Sequence, residues 1–213
     1  MAHPLPDSVL TDVDSAKRRQ ILDGARKVFL AEGFDGASMG EIARTAGVSK
    51  GTLYVYFTSK ESLFETLIGE ERRALAEALF KLDTENPDVR AVLRTLGISY
   101  LSMMGQPEHL SAVRMVIGVA EKFPRFGQIF YEAGPQWGRG RLKEYLDTQV
   151  AAGRLKISDT HMAASHFLDL CVSGCLRRLL FAVGEAPAQA EIERNVDNAV
   201  RVFFAAYGPD ATL

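Results

Sequence analysis

The sequence predicts an all-α protein built from two helical regions, and three observations lead to this prediction. Apolar residues recur at helical spacing along most of the 213 residues. Alternation typical of strands does not persist beyond a few residues. Glycine and proline punctuate the chain at short intervals, as expected between consecutive helices. We therefore predict a disordered tail over 1–13, a small helical domain over 14–60 and a larger helical domain over 61–213.

The first helix is predicted from about Ser15 to Glu32, and Gly33 ends it. Two shorter helices follow. Ser38 and Glu41 have the spacing of a capping box, which marks a helix start. Gly47 suits the left-handed backbone at a helix end, and the serine two residues later can cap the next helix. Two short helices joined by such a turn are typical of a helix-turn-helix, whose second helix enters the DNA major groove.

At these residues the chain resembles the TetR family of transcriptional regulators. The similarity covers about residues 15–65 and is carried by IARTA followed by GVSKGTLYVYFTSKESL. Further along, GVAEKFPRFGQIFYEAGP and RLKEYLDTQVAAGRL resemble the regulatory domain of AcrR- or AefR-like repressors. The resemblance implies an N-terminal three-helix DNA-binding domain and a C-terminal helical domain for ligand binding and dimerisation.

Side-chain chemistry and the resemblance together give the candidate DNA contacts. Lysine can reach guanine or phosphate, threonine a base edge, and tyrosine hydroxyls a phosphate oxygen. The expected DNA-binding residues are Ser38, Arg44, Ser49, Lys50, Gly51, Thr52, Tyr54, Tyr56 and Lys60. Gly51 and Val55 depart from the commoner residues at their positions, so the preferred DNA sequence stays open. The alternative that Tyr56 and Phe57 are core aromatics also stays open.

The next helix is predicted to link the two domains. Thr58 and Glu61 form another capping-box pattern, and the helix should run to about Leu82, before Pro87. Lys60 in its first turn opposes the helix dipole, which favours a DNA phosphate opposite the ammonium group. Its inward stripe is predicted to contain Leu63, Phe64, Leu67, Ala74, Leu75, Ala78 and Leu79.

Six further helices are predicted, at 88–104, 107–122, 124–133, 135–152, 159–183 and 188–207. The last two are the most apolar and carry more than one apolar stripe, so each needs two packing partners. The resemblance implies that they pair across a two-fold axis in a homodimer. The expected interface residues are Cys175, Leu176, Leu179, Val196, Val200, Phe203 and Phe204. The alternative is the buried core of a monomer.

Aromatic and methionine residues of the second domain could line an apolar cavity, which is the usual composition of a small-molecule site. The candidate lining residues are Tyr100, Met103, Met104, Met115, Phe123, Phe126, Phe130, Trp137, His166 and Phe167. Glu121 and His109 are further polar candidates. The competing interpretation is that these residues are ordinary core, and that His166 is a core histidine.

Charge and composition narrow the function further. Residues 15–60 hold eight basic against four acidic side chains, although the whole chain has a net charge of −2. A basic head on an acidic body fits local phosphate binding. The two cysteines, the N-terminal composition and the absence of a long apolar run favour a cytoplasmic protein that does not enter a membrane.

The pattern of residues favours a regulator over an enzyme. It contains no nucleophile–base–acid set, no phosphate-binding glycine loop and no metal-ligand spacing among the four histidines. We therefore expect no enzyme activity, no cofactor and no metal. The leading hypothesis is a repressor that binds a palindromic DNA operator as a homodimer and is released by a small lipophilic effector. The alternative is an architectural DNA-binding protein without an effector.

Overall fold

The computed structural model describes residues 7–211, with side chains from residue 14 onwards. All regular elements in this range are helical, which confirms the predicted all-α fold. The helices are α1 (Asp7–Gly36), α2 (Met39–Ala46), α3 (Lys50–Tyr56), α4 (Lys60–Leu79), α5 (Val89–Met104), α6 (Pro107–Val119), α7 (Pro124–Tyr131), a π-helical turn (Glu132–Gln136), α8 (Trp137–Ala151), α9 (Thr160–Cys171), α10 (Leu176–Leu180) and α11 (Gln189–Tyr207).

The beginning of the chain differs from its prediction in one respect. Residues 1–6 of the predicted tail lie outside the described residues, but 7–13 belong to α1. This helix is interrupted where the sequence indicates, because Gly33 has a non-helical backbone with φ 69° and ψ 178°. Residues Met39 to Tyr56 then form the two short helices predicted for the helix-turn-helix.

The N-terminal helices share one apolar core with the start of α4 and with parts of α6 and α7. Leu63 and Phe64 of α4 are fully buried in this core, together with Ile21 and Ile42. Phe126 of α7 joins it from the second domain, and its ring centroid lies 4.8 Å from that of Phe64. Packing is therefore continuous across residue 60, where the sequence analysis placed a domain boundary.

Two ion pairs also connect α4 to α1. Arg18 donates to both carboxylate oxygens of Glu70, at 2.5 and 3.1 Å. Arg26 donates to Glu71 at 2.5 Å. Exposed pairs of this kind contribute little stability individually. They lie between α1 and the middle of α4, beyond the shared apolar core.

A second core lies between α5, α8, α9 and α11. Its most deeply buried residues include Leu93, Leu142, Phe167 and Val196. The rings of Phe167 and Phe203 meet edge to face, with centroids 5.5 Å apart. This core holds the second half of the chain together around the far end of α4, where Phe80 is buried.

Three predicted helix boundaries are wrong. The helix predicted over 159–183 ends at Cys171, and Gly174 adopts a left-handed φ of 76° before α10 begins. The break predicted at Gly134–Pro135 is absent, because a π-helical turn accommodates Pro135 and joins α7 to α8. The cap of α4 is Ser59, whose hydroxyl accepts from Ser62 N at 3.1 Å, and the helix ends three residues before the predicted Leu82.

The inward stripe of α4 also differs beyond Leu67. Leu75 was predicted to face inward but is 37% exposed. The buried positions are instead Ile68, Arg72 and Ala76, which continue from Phe64 at a spacing of four residues. The prediction failed because it did not consider that an arginine could occupy a buried position.

Candidate functional site

The helix-turn-helix is held by the local signals that predicted it. The Ser38 hydroxyl accepts from Glu41 N at 3.2 Å, and the Ser49 hydroxyl accepts from Thr52 N at 3.0 Å. Gly47 has φ 66° and ψ 37°, a conformation that disfavours residues with a Cβ. Leu53 is fully buried and anchors α3 to the core. Together these contacts fix the angle at which α3 leaves the surface.

One face of α3 is left without a role in folding. Lys50, Gly51, Tyr54 and Val55 are all exposed, and Val55 is the most exposed of the large apolar side chains in the described part of the chain, at 81%. An apolar side chain at this position could contact a thymine methyl group in the major groove. The sequence analysis noted Val55 only as a departure from the family pattern and did not include it among the DNA contacts.

Basic and hydroxyl groups lie beside this face. The Lys50 side chain folds over the start of α2, so that a Cβ added at Gly40 would lie 2.9 Å from Lys50 Cε. This brings its ammonium group near the Ser38 cap. The Arg44 side chain is 75% exposed and pairs with Glu41 on its own helix. These groups lie where phosphates flanking a bound groove would be expected.

Like Ser38, Ser49 and Arg44, three more of the predicted DNA contacts bond within the protein: Lys60, Tyr56 and Thr52. The Lys60 ammonium donates to the carbonyl oxygens of Phe34 and Ala37 at 2.7 and 3.0 Å and lies over the Phe34 ring. In this structure the ammonium group therefore binds backbone at the end of α1. The Tyr56 hydroxyl donates to Asp14 at 2.6 Å, a bond that raises the tyrosine pKa. Thr52 is half-buried, with its hydroxyl oxygen 2.8 Å from that of Ser49.

A cavity of about 250 Å³ lies in the second domain and is lined by residues of α4 to α10, including the π-helical turn. Tyr100, Met103, Met104 and Phe130 line it as predicted, and so does His109. Its remaining walls are mainly apolar and include Leu75, Leu79, Phe80, Leu168, Leu176 and Leu180. The sequence analysis did not consider Arg72 and Arg139, which supply most of its charge.

The other predicted lining residues are elsewhere. Met115, Phe123 and Phe126 pack in or against the N-terminal core, where ordinary burial explains them. Phe167 is fully buried in the second core. Trp137 packs beneath the guanidinium groups of two arginines on the surface. His166 is exposed, with Nδ1 2.7 Å from the Tyr207 hydroxyl. The aromatic and methionine residues predicted to line one cavity are thus divided among several environments.

Two arginines and a histidine are the main polar side chains described in the cavity wall. Arg72 is only 6% exposed, and its Nη1 donates to His109 Nδ1 at 2.9 Å. Burial, and then the charge of Arg72, lower the pKa of His109 to about 4, so that this histidine is neutral at pH 7. Arg139 donates from Nη1 to the Tyr131 hydroxyl at 3.1 Å, but its buried Nε has no partner.

The predicted dimer contacts are mostly part of the chain's own core. Cys175, Leu179, Val196, Val200 and Phe203 are each at most 6% exposed in the single chain. Most of their surface is therefore already covered within one chain. Of the other two, Leu176 lines the cavity and Phe204 lies beneath a guanidinium group.

Other apolar side chains of α9, α11 and the segment after α10 are exposed on the surface of the chain. Met162 of α9 is 48% exposed and Val202 of α11 is 40% exposed. Phe181 and Val183, just after α10, are 79% and 57% exposed.

Cys171 is buried, which raises the pKa of its thiol to about 12, so it does not ionise at neutral pH. Within the described part of the chain, no helix is long and apolar enough to cross a membrane.

A capped helix-turn-helix with an unused outer face, carried on a purely helical body, defines a DNA-binding transcriptional regulator rather than an enzyme. Comparisons with known proteins agree with this class. Residues 21–67 match the family model of bacterial regulatory proteins of the tetR family. Residues 91–209 match the C-terminal domain of AefR-like transcriptional repressors. The chain therefore belongs to the TetR family.

Individual relatives are similar over most of their length. The transcriptional repressor Rv1474c of Mycobacterium tuberculosis is 28% identical over 88% of this chain and 94% of its own. A TetR-family regulator from Mesorhizobium loti has a TM-score of 0.85 at 29% identity, covering 91% of this chain and 98% of its own. The flavonoid-responsive regulator FrrA has a TM-score of 0.78 at 31% identity, covering 92% of this chain and all of its own.

Proposed function

We propose that this chain is a homodimeric repressor that binds a palindromic operator and is released from it by a small, largely apolar effector. The observation that carries the proposal is the outer face of α3, where Lys50, Tyr54 and Val55 are all exposed. A helix held only by its inner residues, with its outer face free, is suited to the major groove.

The dimer is supported by the exposed apolar side chains near the end of the chain. A single short helix reads few base pairs, whereas a two-fold axis places two such helices about 34–36 Å apart, one turn of DNA. Phe181, Val183 and Val202 are the side chains that we propose for the interface, in place of the buried residues suggested by the sequence. Their exposure in the single chain is the reason for this choice.

The effector is supported by the cavity and by its place beside α4. Arg72 lines the cavity and directly follows Glu70 and Glu71, which pair with α1. A ligand that displaces this part of α4 would therefore move the helix-turn-helix. A 100-fold loss of operator affinity requires about 2.7 kcal/mol of coupling between the two sites. The cavity favours this regulator over an architectural protein, whose body would need no internal space.

The experiment is selection of bound duplexes from a random DNA pool. Wild-type protein should enrich one inverted-repeat sequence, because paired recognition helices read the same bases twice. The Val55→Asp variant is the matched control, since it changes one exposed side chain and places a carboxylate in the proposed interface. We expect no enrichment with this variant while its circular dichroism stays that of the wild type. Equal enrichment by both proteins would contradict the proposed reading face.

A further inference from the structure

The polar side chains of the cavity define the chemical class of its ligand. We infer that the cavity binds a small amphipathic anion, with a carboxylate or a similar acidic group at Arg72, His109 and Arg139 and an apolar body among the leucine, methionine and phenylalanine side chains. This inference rests on the proposed function, because it names the class of the proposed effector. The sequence predicted a lipophilic ligand without a defined charge, and the inference adds a negative charge to it.

Arg72, His109 and Arg139 line the same cavity and offer hydrogen-bond donors. An arginine has no acceptor, so in the bond between Arg72 Nη1 and His109 Nδ1 the histidine must accept. The proton of the neutral imidazole is then on Nε2, which is left as a donor. The Nε–H of Arg139 is buried and unpartnered. Donors from three side chains without a matching acceptor suit an anionic ligand group.

The buried charge of Arg72 also lacks a counterion. Among residues 14–211, no carboxylate oxygen lies within 4.0 Å of the Arg72 or Arg139 guanidinium groups. The neighbouring Glu71 is paired with Arg26 at 2.5 Å. A buried charge without a partner is costly, and a ligand carboxylate would supply the missing one.

One carboxylate does line the cavity, namely that of Asp169. Two guanidinium groups against this single carboxylate leave the lining with an excess positive charge of one. Asp169 is exposed and belongs also to the surface groove between α9 and α11. It therefore does not neutralise Arg72, whose guanidinium lies 5.0 Å from the centre of the Phe130 ring on the side of α4 and α7.

The size of the cavity limits the apolar part of the ligand. About 250 Å³ is slightly below the range of typical small-molecule sites, so the ligand should be small. The two methionines in the wall, Met103 and Met104, can adapt to ligands of different shape. A short fatty acid or a compact aromatic acid has this combination of size, apolar surface and charge.

The test compares two ligands that differ mainly in charge, octanoate and 1-octanol, by isothermal titration calorimetry on the full chain at pH 7.5. Octanoate should bind about 10-fold more tightly or better, because hydrogen bonds to a charged group contribute more than neutral ones. Equal affinity, tighter binding of 1-octanol or no binding of either ligand would overturn the inference.

Arginine variants test where the anionic group of the ligand binds. Arg72→Met should reduce octanoate affinity about 10-fold and leave that of 1-octanol within about twofold. Arg73→Met is the matched control, since Arg73 is the next residue, is exposed and pairs with Glu77 outside the cavity. Should Arg72→Met fail to fold, Arg139→Met provides the same comparison. Loss of octanoate binding in the Arg73 variant to the same degree would contradict the assignment.

Operator binding separates this inference from the proposed function. Octanoate that binds through Arg72 without changing DNA affinity would support the ligand class and contradict release by the effector. A neutral ligand that binds the cavity and releases DNA, while octanoate does not bind, would support the proposed function and overturn the inference. Binding of octanoate together with loss of DNA affinity supports both.

Discussion

Lys50 and Lys60 carry the same charge but differ in what surrounds the ammonium group. Lys50 is exposed at the start of α3, whereas Lys60 donates to carbonyl oxygens at the end of α1. Lys50→Ala should reduce the slope of log affinity against log salt by about 0.9, as expected for one lost phosphate contact. Lys60→Ala should leave the slope unchanged. Fluorescence anisotropy at several salt concentrations measures both.

The same two variants should also differ in stability, and here Lys60→Ala should have the larger effect. Lys60→Ala removes charge-assisted hydrogen bonds and should lower the free energy of unfolding by about 1–2 kcal/mol. Lys50→Ala should change it by less than about 0.5 kcal/mol, as surface substitutions usually do. Urea unfolding distinguishes them. A reduced salt slope in Lys60→Ala would mean that its ammonium leaves α1 to bind phosphate.

His109 makes stability depend on pH. Its pKa is lowered to about 4 in the folded chain and is about 6.5 when unfolded, so the unfolded state binds more protons between these values. Stability from this residue is complete above pH 6.5 and is lost as pH falls through this window, by about 2 kcal/mol at pH 5. Urea unfolding at pH 7.5 and 5.0 measures the loss.

The control for this prediction is His109→Gln. Its amide oxygen can still accept from Arg72, but it does not titrate. The variant should lose about 2 kcal/mol less than the wild type between pH 7.5 and 5.0, since carboxylates elsewhere contribute equally to both proteins. Equal losses would show that His109 is not held neutral by burial and by Arg72.

At the scale of elements, the helix-turn-helix could be predicted and much of the body could not. Caps and turns act over three or four residues, so Ser38, Gly47 and Ser49 specify α2 and α3 locally. The π-helical turn around Pro135 depends on packing against α4, which no local pattern reveals. Burial of Arg72 likewise depends on partners from other helices, namely His109 and Phe130.

The connection between α1 and α4 is the element-scale feature that the regulatory proposal requires. Replacing Glu70 and Glu71 together by glutamine removes both ion pairs with α1. Each exposed pair contributes about 0–1 kcal/mol, so the fold should persist. The loss of operator affinity caused by octanoate should shrink about threefold or more, because α4 then moves without carrying the helix-turn-helix.

The matched control for this double variant is Glu77→Gln, which removes an ion pair within α4. Its response to octanoate should equal that of the wild type. Anisotropy titrations of the selected duplex with and without octanoate provide the comparison. An unchanged response in the Glu70 and Glu71 variant would show that the signal does not pass through these contacts.

At the scale of the whole molecule, the dimer surface predicted from the sequence differs from the one that we propose from the exposed side chains. Val196 and Phe203 are apolar and lie on the last helix, as an interface would require, but they face the chain's own core. Periodicity indicates which residues share a face and does not say which of two apolar faces meets the partner. We propose that the exposed Phe181, Val183 and Val202 contact the second copy.

Light scattering can test whether Phe181 and Val202 lie in the dimer interface, because a variant that does not associate has the mass of one chain. By light scattering, the double variant Phe181→Asp and Val202→Asp should have the mass of one chain, 23.4 kDa, whereas the wild type, as the proposed homodimer, should have twice that value. Charges buried at an apolar interface oppose association strongly. Val55→Asp is the control, because it changes an even more exposed valine far along the chain and should remain dimeric. A dimeric double variant would place the interface elsewhere.

The most direct measurement of the central claim is a hydroxyl-radical footprint on the selected duplex, combined with the number of chains bound to it by sedimentation. The claim is that two copies of α3 occupy successive major grooves on one face of DNA. It predicts two chains per duplex and two symmetric protected segments, centred about 10–10.5 base pairs apart or a multiple of this spacing. One chain per duplex, or one protected segment without symmetry, would contradict it.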